Sequence, residues 1–162
     1  WLRNAQAIRE KDAAVAEIAP GRLVADAVRV LNLRDAVERG EIRLVEEGAL
    51  PLARLSLVAA RFATEALLRF AFGHHGSVVH AAQIGHDLVL TCRLAGSEPE
   101  EMRVDGFQQA LEGAAEAFGA VRFETGAGER RVIFAGAFAE AAFADHGAGK
   151  PVREISLVRL AS

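Results

Sequence analysis

The 162-residue chain carries one cysteine, Cys92, so it has no internal disulfide, and nothing points to an oxidising compartment. It has two lysines against seventeen arginines, and its formal net charge is only -3. That balance excludes a general nucleic-acid binder. No apolar run approaches the roughly 20 uninterrupted residues of a membrane span, and no signal peptide opens the chain. The expected setting is cytoplasmic, with neither nucleic acid nor membrane as a partner. What is present is a composition 51% hydrophobic and 25% charged, which describes one globular domain with one core. Abundant arginine and alanine fit a GC-rich bacterial genome. Trp1 stands first, not Met, and further sequence is expected upstream.

Periodicity supplies the organisation. Residues 1–18 are polar and helix-prone, and Pro20-Gly21 ends them. Leu23, Val24, Ala27, Val28 and Leu31 form an apolar stripe that predicts a helix from Arg22 to Arg39, stopped by Gly40. Glu41–Glu46 alternates as a short strand. Gly48 and Pro51 frame a turn, and Pro51 suits the first turn of a helix over Leu52–Phe72. That segment is apolar nearly all round and is expected to be the buried centre. A hairpin follows, Val78–Ile84 and Leu88–Ala95, with Leu88, Leu90, Cys92 and Leu94 on one face and Val89, Thr91 and Arg93 on the other. A helix over Phe107–Phe118 precedes a second hairpin, Val121–Thr125 and Arg131–Phe138. Val152–Leu160 reads as a strand or a helical turn. The order predicts an α+β fold, a mixed, mostly antiparallel sheet with helices on one face, preceded by an N-terminal helix. The divisions are 1–19, 20–138 and a C-terminal extension, 139–162.

Few residues advertise chemistry. His74, His75, His80 and His86 lie within thirteen residues. The adjacent pair would diverge on a regular element, while His80 and His86 would face each other across the hairpin, leaving open a metal or haem pocket or a set of solvated histidines. Cys92 shares the apolar parity of its strand and reads as a core thiol. Gly126–Gly128 reads as a hairpin turn, since it lacks the lysine and following helix of a phosphate loop. Glu65 sits on the apolar helix four residues before Arg69. The pair is either an i,i+4 contact on the one wet stripe or a carboxylate facing a cleft between helix and sheet.

Pro20-Gly21-Arg22-Leu23-Val24 and its helix, Glu41-Ile42-Arg43-Leu44 and Gly48-Ala49-Leu50-Pro51 together resemble the opening of a histidine-kinase (Bergerat-type) ATP-binding domain. Phe62-Ala63-Thr64-Glu65-Ala66-Leu67-Leu68 falls where that family carries its Glu-x-x-x-Asn box. Asp105–Phe118 with Gly119-Ala120-Val121-Arg122-Phe123-Glu124 resembles its last helix and following strand, and Gly128–Phe134 its closing strand. The resemblance covers residues 20–138. It departs at the nucleotide: Arg69 stands at the position of the magnesium-binding asparagine, Leu94-Ala95-Gly96-Ser97-Glu98 replaces the adenine-gripping Asp-x-Gly-x-Gly loop, and Met102–Gly106 lacks the second glycine box. A triphosphate needs backbone donors and a metal to offset its charge. No cofactor is expected, and Glu65 and Arg69 are vestigial box positions.

A kinase-like fold without kinase chemistry resembles the ChpT-type bacterial histidine phosphotransferases, which relay phosphate between receiver domains. The resemblance implies a response-regulator receiver domain as partner and a homodimer through the N-terminal helix. No histidine precedes His74, so the phosphoacceptor of that family is expected upstream of Trp1 or not at all, and no catalytic residue is assigned within the chain. The competing readings are a pseudokinase adaptor, a small-molecule or metal/haem sensor built on His74, His75, His80 and His86, and an oligomeric structural domain.

Overall fold

The computed structural model describes residues 15–73, 77–93, 106–126, 128–140 and 152–160. Pro20 occupies the first turn of helix α1 (Pro20–Val30), where its missing N–H costs nothing. The stripe Leu23, Val24, Ala27 and Val28 is buried, as its spacing predicts. The helix does not run on to Arg39. Asn32 adopts φ 55, the Leu33 amide donates to the Val28 carbonyl at 2.9 Å, and the buried Leu33 side chain belongs with Val28 to the same core. This is a Schellman stop, for which asparagine substitutes for glycine. A second helix, α2 (Arg34–Glu38), then ends the same way at Gly40, φ 74, with the Glu41 amide donating to the Ala36 carbonyl. The apolar stripe is continuous in sequence, but the backbone turns inside it.

The N-terminal side also differs from expectation. Val15–Ile18 is a strand, β1, not the end of a helix, and residues 1–14 lie outside the described residues. It pairs antiparallel with β3 (Ala53–Ser56), so the central helix begins at Leu57 and not Leu52. Ala53 and Leu55 are buried while Arg54 is exposed. This period-two burial fits a strand, and Pro51 precedes it without starting a helix.

The main sheet contains β2 (Ile42–Glu47), β4 (Ser77–Ile84), β5 (Asp87–Arg93), β6 (Val121–Gly126), β7 (Glu129–Phe134) and β8 (Val152–Ile155), in the order β6-β7-β5-β4-β2-β8. Among the described strands, only the pair β2–β4 is parallel. Its crossover contains β3 and the helix α3 (Leu57–Gly73). Helices α1, α3 and α4 (Gly106–Phe118) pack over the face bearing Ile42, Leu44, Val79, Leu90, Cys92 and Val132, all at most 1% exposed. The first hairpin has the expected faces, and Cys92 is a buried core thiol. A final helical turn, α5 (Leu157–Leu160), follows β8, so Val152–Leu160 is both strand and turn. The fold is therefore the mixed, mostly antiparallel α+β layer structure expected. Strand β8 carries its sheet beyond the division placed after residue 138.

Candidate functional site

Helix α3 lies between α1 and α4 and presents a different chemistry to each. Toward α4 it is smooth: Phe62 stacks on Phe118 with ring centroids 5.9 Å apart. A methyl on Gly119 would stand 3.0 Å from the Ala59 Cβ. Farther along, Arg130 of β7 lies over the Phe70 ring, 5.7 Å from its centroid, and pairs with Glu112 of α4.

Toward α1 the helix is charged. Arg61, Glu65 and Arg69 recur every four residues and share one stripe. Arg61 and Glu65 line a groove of about 310 Å³ with Leu23, Asp26, Ala27, Arg29 and Val30 of α1. Asp26 is held by its own helix, 3.3 Å from Arg22 Nε and 3.2 Å from Arg29 Nη2. Burial is the largest influence on Glu65 and pushes its carboxyl above the ordinary value, while Arg61 and Arg69 pull the other way. Glu65 thus faces a cleft and also belongs to a charged i,i+4 stripe. The groove lies between two helices, not between helix and sheet as the sequence position suggested.

The stripe decides what the groove can hold. Magnesium takes oxygen ligands in a near-octahedral set. Glu65 supplies one carboxylate, and the guanidinium of Arg69, four residues on, supplies only donors. Two guanidiniums flank this acid on its stripe, and the groove's other carboxylate, Asp26, is paired with Arg22 and Arg29. Such a surface receives carboxylate or phosphate oxygens by hydrogen bonding and is ill suited to a divalent cation.

His80 and His86 do not converge. His74 and His75 lie outside the described residues. His80 is on β4 opposite Thr91, whereas His86 is in the turn at the hairpin tip, so the two do not face each other across the hairpin. At about 3.3 Å per residue along the strand they stand roughly 16 Å apart. His80 Nδ1 is buried and makes no hydrogen bond, with the Glu47 carboxylate 3.7 Å away. Burial first, and then Arg93, hold its pKa below the ordinary histidine value against the opposing pull of Glu47. His86 Nδ1 lies 3.0 Å from the Phe138 carbonyl, and the Phe138 amide donates to the His86 carbonyl. With Asp87 accepting from the Gly136 amide, this fastens the hairpin tip to the chain leaving β7. Among the described residues, no group of three His, Cys, Asp or Glu side chains is placed to hold a metal.

Sequence reasoning missed Asp26, Arg29 and Arg61 as groove residues. Their signal was present as i,i+3 and i,i+4 charge pairs, but such pairs occur on most solvated helices. The Arg130–Glu112 pair left no signal, because its members lie on different elements.

No protein-family model matches the sequence, and no curated protein matches it significantly. Solved structures do. The chain is similar to the histidine kinase AdeS of Acinetobacter baumannii, at 10% identity over 82% of this chain and 72% of that one, with a TM-score of 0.52. It is similar to full-length ShkA in complex with AMPPNP, at 20% identity over 79% of this chain, with a TM-score of 0.55. It spans 32% of the ShkA chain, about a third. The cytoplasmic segment of the histidine kinase QseC gives 0.46 at 18% identity, over 78% of each chain. The fold, a mixed, mostly antiparallel sheet layered with helices, is that of the histidine-kinase ATPase-like domains.

Proposed function

We propose that this chain is a two-component signalling module that has given up ATP: a histidine-phosphotransferase-like or pseudokinase adaptor whose partner is a response-regulator receiver domain. The observation that carries the reading is the stripe Arg61–Glu65–Arg69 on α3. In a working nucleotide site, the box residues hold a metal that neutralises the phosphates. Here the acid of the stripe is flanked by cations, and burial raises its pKa above the ordinary carboxylate value. The retained fold then serves as a protein-binding platform. Homodimerisation through the segment leading into β1 completes the proposal, with any phosphorylated histidine carried upstream of Trp1.

The test is calorimetry with Mg-ATP on the folded protein, paired with a receiver-domain titration. The expected result is no Mg-ATP binding tighter than roughly 1 mM, which corresponds to about -4 kcal/mol. Binding in the micromolar range would show a working nucleotide site and end the pseudokinase reading.

A further inference from the structure

The edge of β2 is covered by a short segment of the chain's own C-terminal region. Strand β8 pairs antiparallel with it, Leu44 opposite Ile155, Val45 opposite Glu154 and Glu46 opposite Arg153. Three of its four residues are exposed, Val152 at 62%. The segment is held by its backbone ladder, by Leu157, which is 2% exposed in the core, and by the partly buried Ile155 and Leu160 packed against that core. Two polar ties are added. Arg22 Nη1 donates to the Leu160 carbonyl at 3.3 Å, and Arg153 Nη2 donates to Glu46 Oε2 at 3.0 Å.

That second tie is unequal. The Glu46 side chain is 8% exposed and the Arg153 side chain 67%. Glu46 also lies against the first turn of α1, its Oε1 3.6 Å from the Cβ position of Gly21. A carboxylate taken out of water needs a cation at hand, so this place on the edge selects for a basic residue. Beside the strand, a cleft of about 400 Å³ remains open, with Val37, Ile42, Ile155 and Leu157 among its walls and Glu38 and Arg43 at its rim. The segment covers the edge and leaves the cleft next to it unfilled.

We propose that the β2 edge and this cleft are a docking groove for an extended peptide from a partner protein, and that residues 152–160 occupy it in cis as an exchangeable strand. Main-chain pairing makes no demand on sequence, so a foreign strand recovers the ladder. Specificity comes from a basic side chain meeting Glu46 and from apolar side chains at the places of Ile155 and Leu157, with a bulkier residue between them to fill the cleft. The cis segment competes at high effective concentration, so the apparent affinity for a partner is reduced by the fraction of molecules in which it is bound.

The probe is a fluorescein-labelled peptide with the sequence of residues 152–160, titrated by anisotropy into three full-length proteins: wild type, Leu157→Asp, and Val45→Cys/Glu154→Cys oxidised to lock the strand. The probe is expected to bind Leu157→Asp at least tenfold tighter than wild type and to bind the locked protein not at all until reductant is added. Equal affinity for wild type and Leu157→Asp, or undiminished binding to the locked protein, would overturn the proposal. Should Leu157→Asp fail to fold, hydrogen exchange on the wild type decides. Amides of 152–155 should exchange at least a hundredfold faster than those of β5, and equal protection would make β8 a permanent strand.

Discussion

Arg130→Leu is the most informative single change to the core. The side chain leaves β7 on the helix-bearing face, as Val132 and Phe134 do, and is 8% exposed. Its Nε donates to Glu112 Oε1 at 3.0 Å, its Nη2 reaches the same oxygen, and its Nη1 donates to Thr125 Oγ1 at 2.9 Å. Removing the guanidinium leaves the Glu112 carboxylate, 14% exposed, without that cation. Breaking a buried pair from one side costs about 3–5 kcal/mol. The partial exposure of Glu112 places this case near 3. Loss of the ring contact with Phe70 adds about 0.5–1 kcal/mol. The double variant Arg130→Leu/Glu112→Leu removes both charges and is expected within about 1 kcal/mol of wild type, since apolar replacement of a whole buried pair is often neutral. Urea melts with unchanged m-values would give the four corners of a double-mutant cycle. Arg130→Leu within about 0.5 kcal/mol of wild type, as at a surface position, would refute the reasoning. So would a double variant that costs as much as the two singles together.

Leu67→Ala, at a position 1% exposed in the centre of α3, should cost about 2–5 kcal/mol in the same melts. A value near zero would displace α3 from the core. The pH dependence has two signed parts. His80 titrates below its ordinary 6.5 in the folded protein, so from 6.5 down to that lower value the unfolded chain binds a proton that the native one lacks. Stability should rise with pH through that window, and His80→Gln should flatten the slope. Glu65 titrates above its ordinary 4.5, so from 4.5 upward the native state keeps a proton that the unfolded chain has released. Stability should fall with rising pH there, and Glu65→Gln should remove the fall. Slopes of the opposite sign in thermal melts would contradict the burial assigned to each group.

The legible parts of the fold were those with one dominant period. The hairpin β4–β5 was visible in the sequence, although β5 is buried on both parities from Leu88 to Cys92, and the layering of helices over a mixed sheet followed from the order of elements. Helix α3 was visible as the centre, but Ala53–Ser56 alternates in four residues that also extend its apolar stripe, so the strand was absorbed into the helix. The turn at Asn32 was hidden because Leu31 and Leu33 continue the apolar pattern across it. Strands β1 and β8 show mixed or outward burial and owe their state to partners far along the chain. At the candidate site, Glu65 and Arg69 could be singled out from one helix. The facing wall of Asp26 and Arg29 required the docking of α1 against α3, which periodicity within one segment does not encode.

The parallel pairing of β2 with β4 has a consequence for how the molecule assembles. The hairpins β4–β5 and β6–β7 close short loops and can form early. Ile42 finds its partner only at Ser77, after a whole crossover is in place, and Leu44 waits for Ile155, far along the chain. Loop-closure entropy rises with separation, and non-local pairs come late in folding. On the ribosome this edge of β2 therefore stays uncovered until residues 152–155 have emerged. In pulse-labelled refolding, the amides joining β2 to β8 should be the last in the sheet to gain protection.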